Sequence, residues 1–119
     1  MKLPGPDHPI AITPNRKTVR VTANGVVVAE TSHALSLKEA SYPVVQYIPR
    51  VDVDMELLSK TGRSTHCPYK GDASYFSINA GGTTLDNSIW TYETPFPAMA
   101  EITGYMAFYT SKVTIEEVG

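Results

Sequence analysis

Apolar and polar side chains alternate along several short stretches of the chain, and no long stretch carries apolar residues at the three- and four-residue spacing of a helix. The alternation predicts strands over residues 18–22, 26–30, 44–48, 73–78, 87–93, 105–109 and 112–117. In the last of these, Val113 and Ile115 are separated by polar neighbours. The pattern therefore predicts a mainly β fold of about seven antiparallel strands.

Asn24 and Gly25 stand between the first two of these runs, both of which are rich in β-branched residues. An Asn-Gly pair in this position predicts a two-residue hairpin turn, because both turn residues need a positive φ. With this turn Val21 would face Val28, and the buried valines would lie on one face while Arg20 points to the other. This is the arrangement of a half-buried antiparallel sheet.

Nine prolines and eight glycines divide the rest of the chain into short segments, and helical turns are predicted only at residues 54–59 and 97–102. The first begins with acidic residues, which complement the helix dipole, and the second follows a proline-rich loop. With 119 residues the chain has the size of one domain. We therefore expect an N-terminal arm over residues 1–9 and a single compact β domain over residues 10–119.

Composition and charge narrow the possible functions. Hydrophobic residues make up 42% of the chain, enough for a core, and ten Lys and Arg against twelve Asp and Glu give a net charge of −2. This balance argues against a nucleic-acid-binding protein, whose affinity depends on attraction to phosphates. No apolar segment is long enough for export or a membrane span, and the single cysteine, Cys67, excludes an internal disulfide, so we expect a cytoplasmic protein.

The richest concentration of reactive side chains is the segment THCPYKGD at residues 65–72. His66 is a candidate acid or base and Lys70 a candidate electrostatic stabiliser. Cys67 is a candidate nucleophile, because the two nearby basic residues favour a thiolate. The alternative is an ordinary connecting loop in which Cys67 is a small buried apolar residue.

The sequence predicts no metal site. His66 and Cys67 are adjacent, so on an extended segment they point to opposite sides, and His8 and His33 have no recognisable ligand spacing. The chain also lacks a nucleophile elbow, a phosphate-binding loop and a dinucleotide-binding fingerprint. Its chemistry must therefore be sought in clusters of side chains that match none of these motifs.

A second cluster surrounds Arg50, a side chain suited to a bidentate grip on a carboxylate or a phosphate. Tyr42 and Tyr47 precede it and are candidates for contact with the same ligand. The alternative is an ion pair between Arg50 and Asp52 or Asp54 that organises the following turn.

Aromatic side chains form the third cluster. Trp90 and Tyr92 project from the same face of a predicted strand, and Tyr75 lies on one face of another. Such a row can stack on a flat ligand, although aromatic residues more often fill a core or form the wall of a pocket.

Taken together, these segments resemble the domain of unknown function 427 family, also labelled nucleotidyltransferase-like, over nearly the whole chain. The resemblance is carried by VAETS at residues 28–32, YIPR at 47–50, THCPYKG at 65–71, WTY at 90–92 and GYMAFY at 104–109. It implies a compact, mainly antiparallel β structure similar in shape to the Mss4-like β-tent group. Zinc-binding members of that group use paired cysteines, so no structural zinc is implied for a chain that has only Cys67.

The resemblance implies little about the reaction. A nucleotidyltransferase needs clustered carboxylates to hold metal ions against phosphates. Asp52 and Asp54 are the candidate carboxylate pair, and they lie beside Arg50.

Our leading hypothesis is a pocket at one end of the β fold for a small, flat, anionic ligand. Its predicted ligand-binding residues are Arg50, Tyr42, Tyr47, Thr65, Tyr69, Tyr75, Trp90 and Tyr92, and its predicted catalytic residues are His66, Lys70 and Cys67. Two alternatives stay open: a non-catalytic interaction or structural module, and magnesium-dependent nucleotidyl transfer. The sequence indicates no particular cofactor, and a homo-oligomer formed through exposed β edges is compatible with it.

Overall fold

The computed structural model of the protein describes residues 1–118, which form a mainly β fold of ten strands. The strands are β1 (Ile10–Asn15), β2 (Thr18–Ala23), β3 (Val26–Thr31), β4 (Ala34–Glu39), β5 (Val45–Tyr47), β6 (Leu58–Cys67), β7 (Gly71–Ala80), β8 (Thr83–Thr91), β9 (Met106–Phe108) and β10 (Thr114–Val118). Three short 3₁₀ helices cover Arg50–Asp52, Met55–Leu57 and Pro97–Ile102.

The strands form three antiparallel sheets. Two of them have three strands each, in the orders β1-β4-β5 and β10-β2-β3, and the third has four, in the order β6-β7-β8-β9. Two single bridges add to these pairings: Ala29 of β3 pairs with Val53, and Ile48, which follows β5, pairs with Met106 of β9. The predicted mainly antiparallel β class is confirmed.

Each of the seven predicted strands is present with adjusted ends, but β1, β4 and β6 were not predicted. The longest of these, β6, has the sequence LSKTGRSTHC and is an edge strand of the four-stranded sheet. Its side chains are all exposed or half-buried, so its sequence carries no apolar alternation. An edge strand that faces solvent can therefore fold without the pattern by which strands are recognised.

The hairpin of β2 and β3 has the predicted turn but a different register. Asn24 has a φ of 48° and Gly25 a φ of 77°, as the two-residue turn requires. A β-bulge then shifts the pairing, so that Val21 lies opposite Ala29 and not opposite Val28 as predicted. The bulge allows both Val28 and Ala29 to be buried, which strict alternation would not permit.

The four-stranded sheet buries both of its faces. Along β7, Phe76 and Ile78 project to one face, and Ala73 and Tyr75 project to the other, as predicted. The first face packs on the sheet β10-β2-β3 and forms the aliphatic core, which includes Val19, Val21, Val28, Ile48, Phe76, Ile78, Ile89, Met106 and Phe108. The second packs on the sheet β1-β4-β5 and forms the aromatic core, which includes Leu37, Tyr47, Ala73, Tyr75, Tyr92, Met99 and Ile102.

The two predicted helical turns are both present as 3₁₀ helices, and the first is shorter than predicted. It covers Met55–Leu57, and the carboxylate of Asp54 accepts a hydrogen bond from the backbone N–H of Glu56 at 3.2 Å. Residues 58 and 59 already belong to β6. The second helix, Pro97–Ile102, starts at a proline, which suits the first helical position.

The segment before β1 contacts the turn between β6 and β7. The backbone N–H of Lys2 donates to the carbonyl of Pro68 at 2.8 Å, and Gly5 and His8 form a bridge. Within residues 1–118 no helix has the length and apolar character needed to cross a membrane.

Candidate functional site

A cleft of about 280 Å³ opens beside the aromatic core. Its walls come from β4, the loop after it, β5, the turn after β6, β7, β8 and the segments that follow β8 and β9. The residues that line it are Leu37, Glu39, Tyr42, Pro43, Val45, Tyr47, Lys70, Tyr75, Trp90, Tyr92 and Tyr109. Six of these eleven side chains are aromatic, and we call this site the aromatic cleft.

Trp90 forms the centre of one wall. Its indole N–H donates to the hydroxyl of Tyr47 at 3.2 Å, and the two rings meet edge to face at 6.4 Å. On its other side, the ring of Tyr109 lies 4.5 Å away at an angle of 47°. These contacts hold the rings in the offset and edge-on arrangements that aromatic pairs favour, so the wall keeps its shape without a ligand.

Two of the tyrosine hydroxyls join a short hydrogen-bonded chain. The hydroxyl of Tyr75 lies 2.9 Å from the hydroxyl of Thr65 and 3.3 Å from that of Tyr109. Burial alone would raise the pKa of Tyr75, but its hydrogen bonds to Thr65, Tyr109 and Arg63 and the charge of Arg63 lower it overall. Burial and the hydrogen bond to Tyr75 raise the pKa of Tyr109 to about 12. The two phenols thus differ in acidity although they share a hydrogen bond.

Tyr47 and Tyr92 are both buried in the aromatic core. Burial raises the pKa of each well above its usual value of 10.0, because a phenolate would lose its hydration. Both side chains therefore stay protonated and act as neutral groups in the cleft.

An ion pair lies at the floor of the aromatic cleft. The ammonium group of Lys70, whose residue is only 6% exposed, donates to Glu39 Oε1. The second carboxylate oxygen of Glu39 is hydrogen-bonded to His8 Nε2 at 2.8 Å. Burial alone would raise the pKa of Glu39, but its hydrogen bonds to Lys70 and His8 outweigh burial and lower it. The carboxylate is therefore ionised and neutralises much of the charge of Lys70.

Lys70 also contacts Cys67 and Tyr92. Its Nζ lies 3.6 Å from the sulfur of Cys67, which is half-buried, and 6.0 Å from the centre of the Tyr92 ring. The backbone amide of Phe96 donates to the carbonyl of Lys70 at 2.9 Å and fixes the turn. Of the three predicted catalytic residues, Lys70 and Cys67 are thus in contact, and Lys70 lines the cleft.

Arg50 lies outside the aromatic cleft, although it was predicted beside Lys70. It borders a separate depression with Pro49, Val51, Glu93, Thr103, Gly104 and Tyr105. Its Nη1 is 3.6 Å from a carboxylate oxygen of Glu93, and its guanidinium lies 5.5 Å from the centre of the Phe76 ring. The alternative interpretation paired Arg50 with Asp52 or Asp54. Among the described residues Arg50 pairs with Glu93 instead, and the carboxylate of Asp52 accepts a hydrogen bond from Thr31.

His66 and Tyr69 do not line the cleft either. The ring of His66 has a side-chain exposure of 60% and is hydrogen-bonded to Asp72 at 2.7 Å. Tyr69 stacks on the ring of His8, with the centroids 4.0 Å apart, and borders another depression. Among the predicted ligand-binding residues, the structure brings Tyr42, Tyr47, Tyr75, Trp90 and Tyr92 together, and Thr65 supports Tyr75 from behind.

Three important side chains of this region were not among the predicted site residues: Glu39, His8 and Tyr109. His8 and Glu39 are 31 residues apart, as are Glu39 and Lys70, so no local motif marks their contact. A possible signal is that Glu39 ends a stretch in which Leu35 and Leu37 alternate with polar residues. Recognising β4 would have placed a carboxylate at the end of a strand.

Within residues 1–118, no three or more His, Cys, Asp and Glu side chains are close enough together to hold a metal ion. Glu39, which lines the cleft, is already bonded to Lys70 and His8. The donor set for a divalent cation with phosphate ligands is therefore not formed by these residues.

Residues 11–119 match the family described as Domain of unknown function (DUF427), with the short label NTP_transf_9. No curated protein matches the chain. Because the family match covers nearly the whole chain, the protein belongs to this family, as the sequence resemblance predicted. The likeness to the Mss4-like group stays a prediction.

Proposed function

We propose that this member of the domain of unknown function 427 family is a small-molecule-binding domain whose ligand occupies the aromatic cleft. The observation that carries the proposal is the convergence of six aromatic side chains and a largely buried ion pair on one concave surface. Ligand sites are typically apolar clefts with a few convergent polar groups, which matches this composition.

The size and walls of the cleft favour a small, flat ligand. Its volume of about 280 Å³ is close to the lower end of the range of about 300–1,000 Å³ for ligand pockets. Trp90 and Tyr109 are already packed against each other, and Tyr42 at the rim is 62% exposed. A single planar ring could stack on these faces and cover the exposed surface of Tyr42.

The floor of the cleft selects the polar end of the ligand. Lys70 donates and Glu39 accepts, and the pair together carries little net charge. A group that both accepts and donates, such as a primary amide, could bond to both side chains at once. Because the ion pair carries little net charge, it does not by itself attract an anion. The anionic ligand predicted from the presence of Lys70 therefore requires a second cationic group near the cleft.

The proposal concerns binding and does not extend to a reaction. His66 does not line the cleft, and its ring is bonded to Asp72 at the surface. Of the three predicted catalytic residues, Lys70 lines the cleft and Cys67 reaches it only through contact with Lys70. Nucleotidyl transfer has no support here, because the only carboxylate among the described cleft residues is engaged by Lys70 and His8.

The fluorescence of Trp90 offers a direct test, since it is the only tryptophan in the chain and lies in the cleft wall. Titration with benzamide and nicotinamide, followed by fluorescence and by calorimetry, should show saturable binding to one site. Tyr42→Ala should weaken this binding by about fivefold or more, the effect of losing one aromatic contact, with little change in stability.

Val51→Ala is the matched control, because Val51 is 89% exposed, is apolar and does not line the cleft. It should bind the two amides as the wild type does. The proposal is wrong if neither the amides nor their carboxylate counterparts bind, or if Tyr42→Ala and Val51→Ala weaken binding equally.

A further inference from the structure

Arg63 is a cation beside the aromatic cleft that the predicted site does not include. It lies on β6 where the pairing with β7 is irregular, and its guanidinium carbon is 4.9 Å from the centre of the Tyr75 ring. Tyr75 itself lines the cleft. Arg63 is exposed, and no carboxylate within residues 1–118 forms an ion pair with it. Arg63 contacts Tyr75, but no carboxylate of the described residues neutralises its charge, which can therefore act on a ligand.

A second depression, of about 410 Å³, is bordered by Arg63. Tyr109 lines both this depression and the aromatic cleft, so the two concavities lie side by side at this residue. The other residues around the second depression are Arg63, Asp86, Asn87, Ser111 and Lys112. A ligand that stacks on Tyr109 can therefore extend from the aromatic cleft into a space that Arg63 borders.

None of the other basic side chains in the neighbourhood combines contact with a cleft aromatic ring and the absence of an ion pair among the described residues, as Arg63 does. Lys70 is paired with Glu39, and Lys112 donates to the backbone carbonyl of Asp86 at 2.7 Å. Arg50 borders a different depression, where its Nε and Nη2 atoms are closed off from solvent. Arg63 is thus the basic group best placed to meet an anion at the cleft.

We propose that the ligand of the aromatic cleft is a flat ring with a terminal carboxylate or phosphate, and that Arg63 binds this anionic group. The inference rests on the proposed function and adds the chemical class of the ligand. An arginine presents two parallel N–H donors that match the oxygens of either group. The hydroxyls of Tyr75 and Tyr109 share a hydrogen bond beside Arg63, which leaves one of their two protons to donate to the same oxygens.

Because Arg63 is exposed, its contribution should be moderate and dependent on salt. An exposed charge pair is screened within a Debye length of about 8 Å at physiological ionic strength. The preference for an anionic ligand should therefore be larger at low salt, whereas the binding of a neutral ring should change little.

The test compares each carboxylate with its amide. Calorimetry would measure the affinities of benzoate and benzamide, with phenyl phosphate as the phosphate probe, at low and at physiological salt. The wild type should bind benzoate or phenyl phosphate about fivefold or more tightly than benzamide at low salt, the size expected for one charge-assisted contact near the surface. Whichever of the two anions binds more tightly identifies the anionic group.

Arg63→Gln should remove this preference and leave benzamide binding unchanged, and Arg63→Lys should retain part of it. Lys60→Gln is the matched control, since Lys60 is an exposed cation on the same strand that pairs with Glu93 and borders neither concavity. It should keep the wild-type preference.

An anion preference that persists in Arg63→Gln would overturn the inference, as would equal affinities of the wild type for benzoate, phenyl phosphate and benzamide. In both cases the binding of benzamide would still support the proposed function. If neither the anions nor the amide bind to the wild type, both proposals are wrong.

Discussion

The two faces of the four-stranded sheet are built from the same strands but are filled in different ways. One face carries Ile78 and Ile89, which are fully buried in an aliphatic core. The opposite face carries Tyr75 and Trp90, whose polar atoms are hydrogen-bonded and whose rings border an open cleft. Alternation along each strand separates the two sets of side chains.

The difference indicates how a small domain can combine stability with binding. Aliphatic side chains fill a closed core without needing hydrogen-bond partners, so they contribute mainly to stability. Tyrosine and tryptophan side chains need apolar packing for their rings and hydrogen-bond partners for their hydroxyl or indole groups. Where they meet, they therefore form a concave and partly polar surface. The comparison predicts that changes in the aliphatic core affect stability alone, and that changes around the aromatic cleft affect binding as well.

The largest effect is expected from Ile89→Ala in the aliphatic core. Removal of this fully buried side chain should lower the free energy of unfolding by about 2–5 kcal/mol, through lost burial and the cavity left behind. Denaturant unfolding measures the loss, and benzamide binding to the folded variant should match the wild type. If Ile89→Ala keeps the stability of the wild type but loses benzamide binding, the aliphatic face takes part in binding and the assignment of the two faces is wrong.

Glu39→Gln should have the next largest effect, because it leaves Lys70 largely buried without its carboxylate. Breaking a fully buried pair costs about 3–5 kcal/mol, and since Glu39 keeps some exposure we expect a loss of about 2 kcal/mol. The double variant Glu39→Gln, Lys70→Met removes both charges and should recover much of this loss. If the double variant is no more stable than Glu39→Gln, the unpaired charge is not the cause.

The same pair predicts a dependence on acid. The pKa of Glu39 is lowered from its usual 4.5 in the folded protein, so its stabilising contribution is present above pH 4.5 and is lost as the pH falls below that value. Measured as the free energy of unfolding against pH, this loss should be smaller in Glu39→Gln than in the wild type.

Tyr47→Phe should lower stability by about 1 kcal/mol at neutral pH, since the indole N–H of Trp90 loses its acceptor. Above pH 10 the unfolded chain ionises Tyr47, whereas burial keeps the folded form protonated, so the wild type loses stability as the pH rises. The variant should lose less over the same range. Equal slopes for the two proteins between pH 9 and 11 would contradict this prediction.

Thr65→Val should have an effect on stability as small as that of Tyr47→Phe, because it removes one hydrogen bond from the hydroxyl of Tyr75. Stability should fall by about 1 kcal/mol, and the pKa of Tyr75 should rise because its phenolate loses a donor. Ultraviolet titration of tyrosinate would follow the shift. Thr84→Val on β8 is the control, since Thr84 donates to Asn79 and should leave this titration unchanged.

The aromatic residues of the site were predictable because they follow strand alternation. Trp90 and Tyr92 do line one cleft with Tyr75, as their spacing suggested. The basic residues were not predictable in the same way. Arg50 lies in a different depression, because a 3₁₀ helix begins at this residue and ends the extended segment that carries Tyr47. Arg63 lies on β6, whose largely polar sequence has no alternation of apolar and polar residues from which a strand could be predicted.

Local backbone preference and contiguous motifs are enough to predict the β class, the hairpin turn at Asn24 and Gly25, and the membership of the family. Which charges meet depends on the tertiary structure. Glu39 joins His8 and Lys70 across 31 residues in either direction, through the packing of separate sheets. Contacts of this kind depend on how whole sheets pack against one another. That packing cannot be derived from the spacing of side chains along the chain.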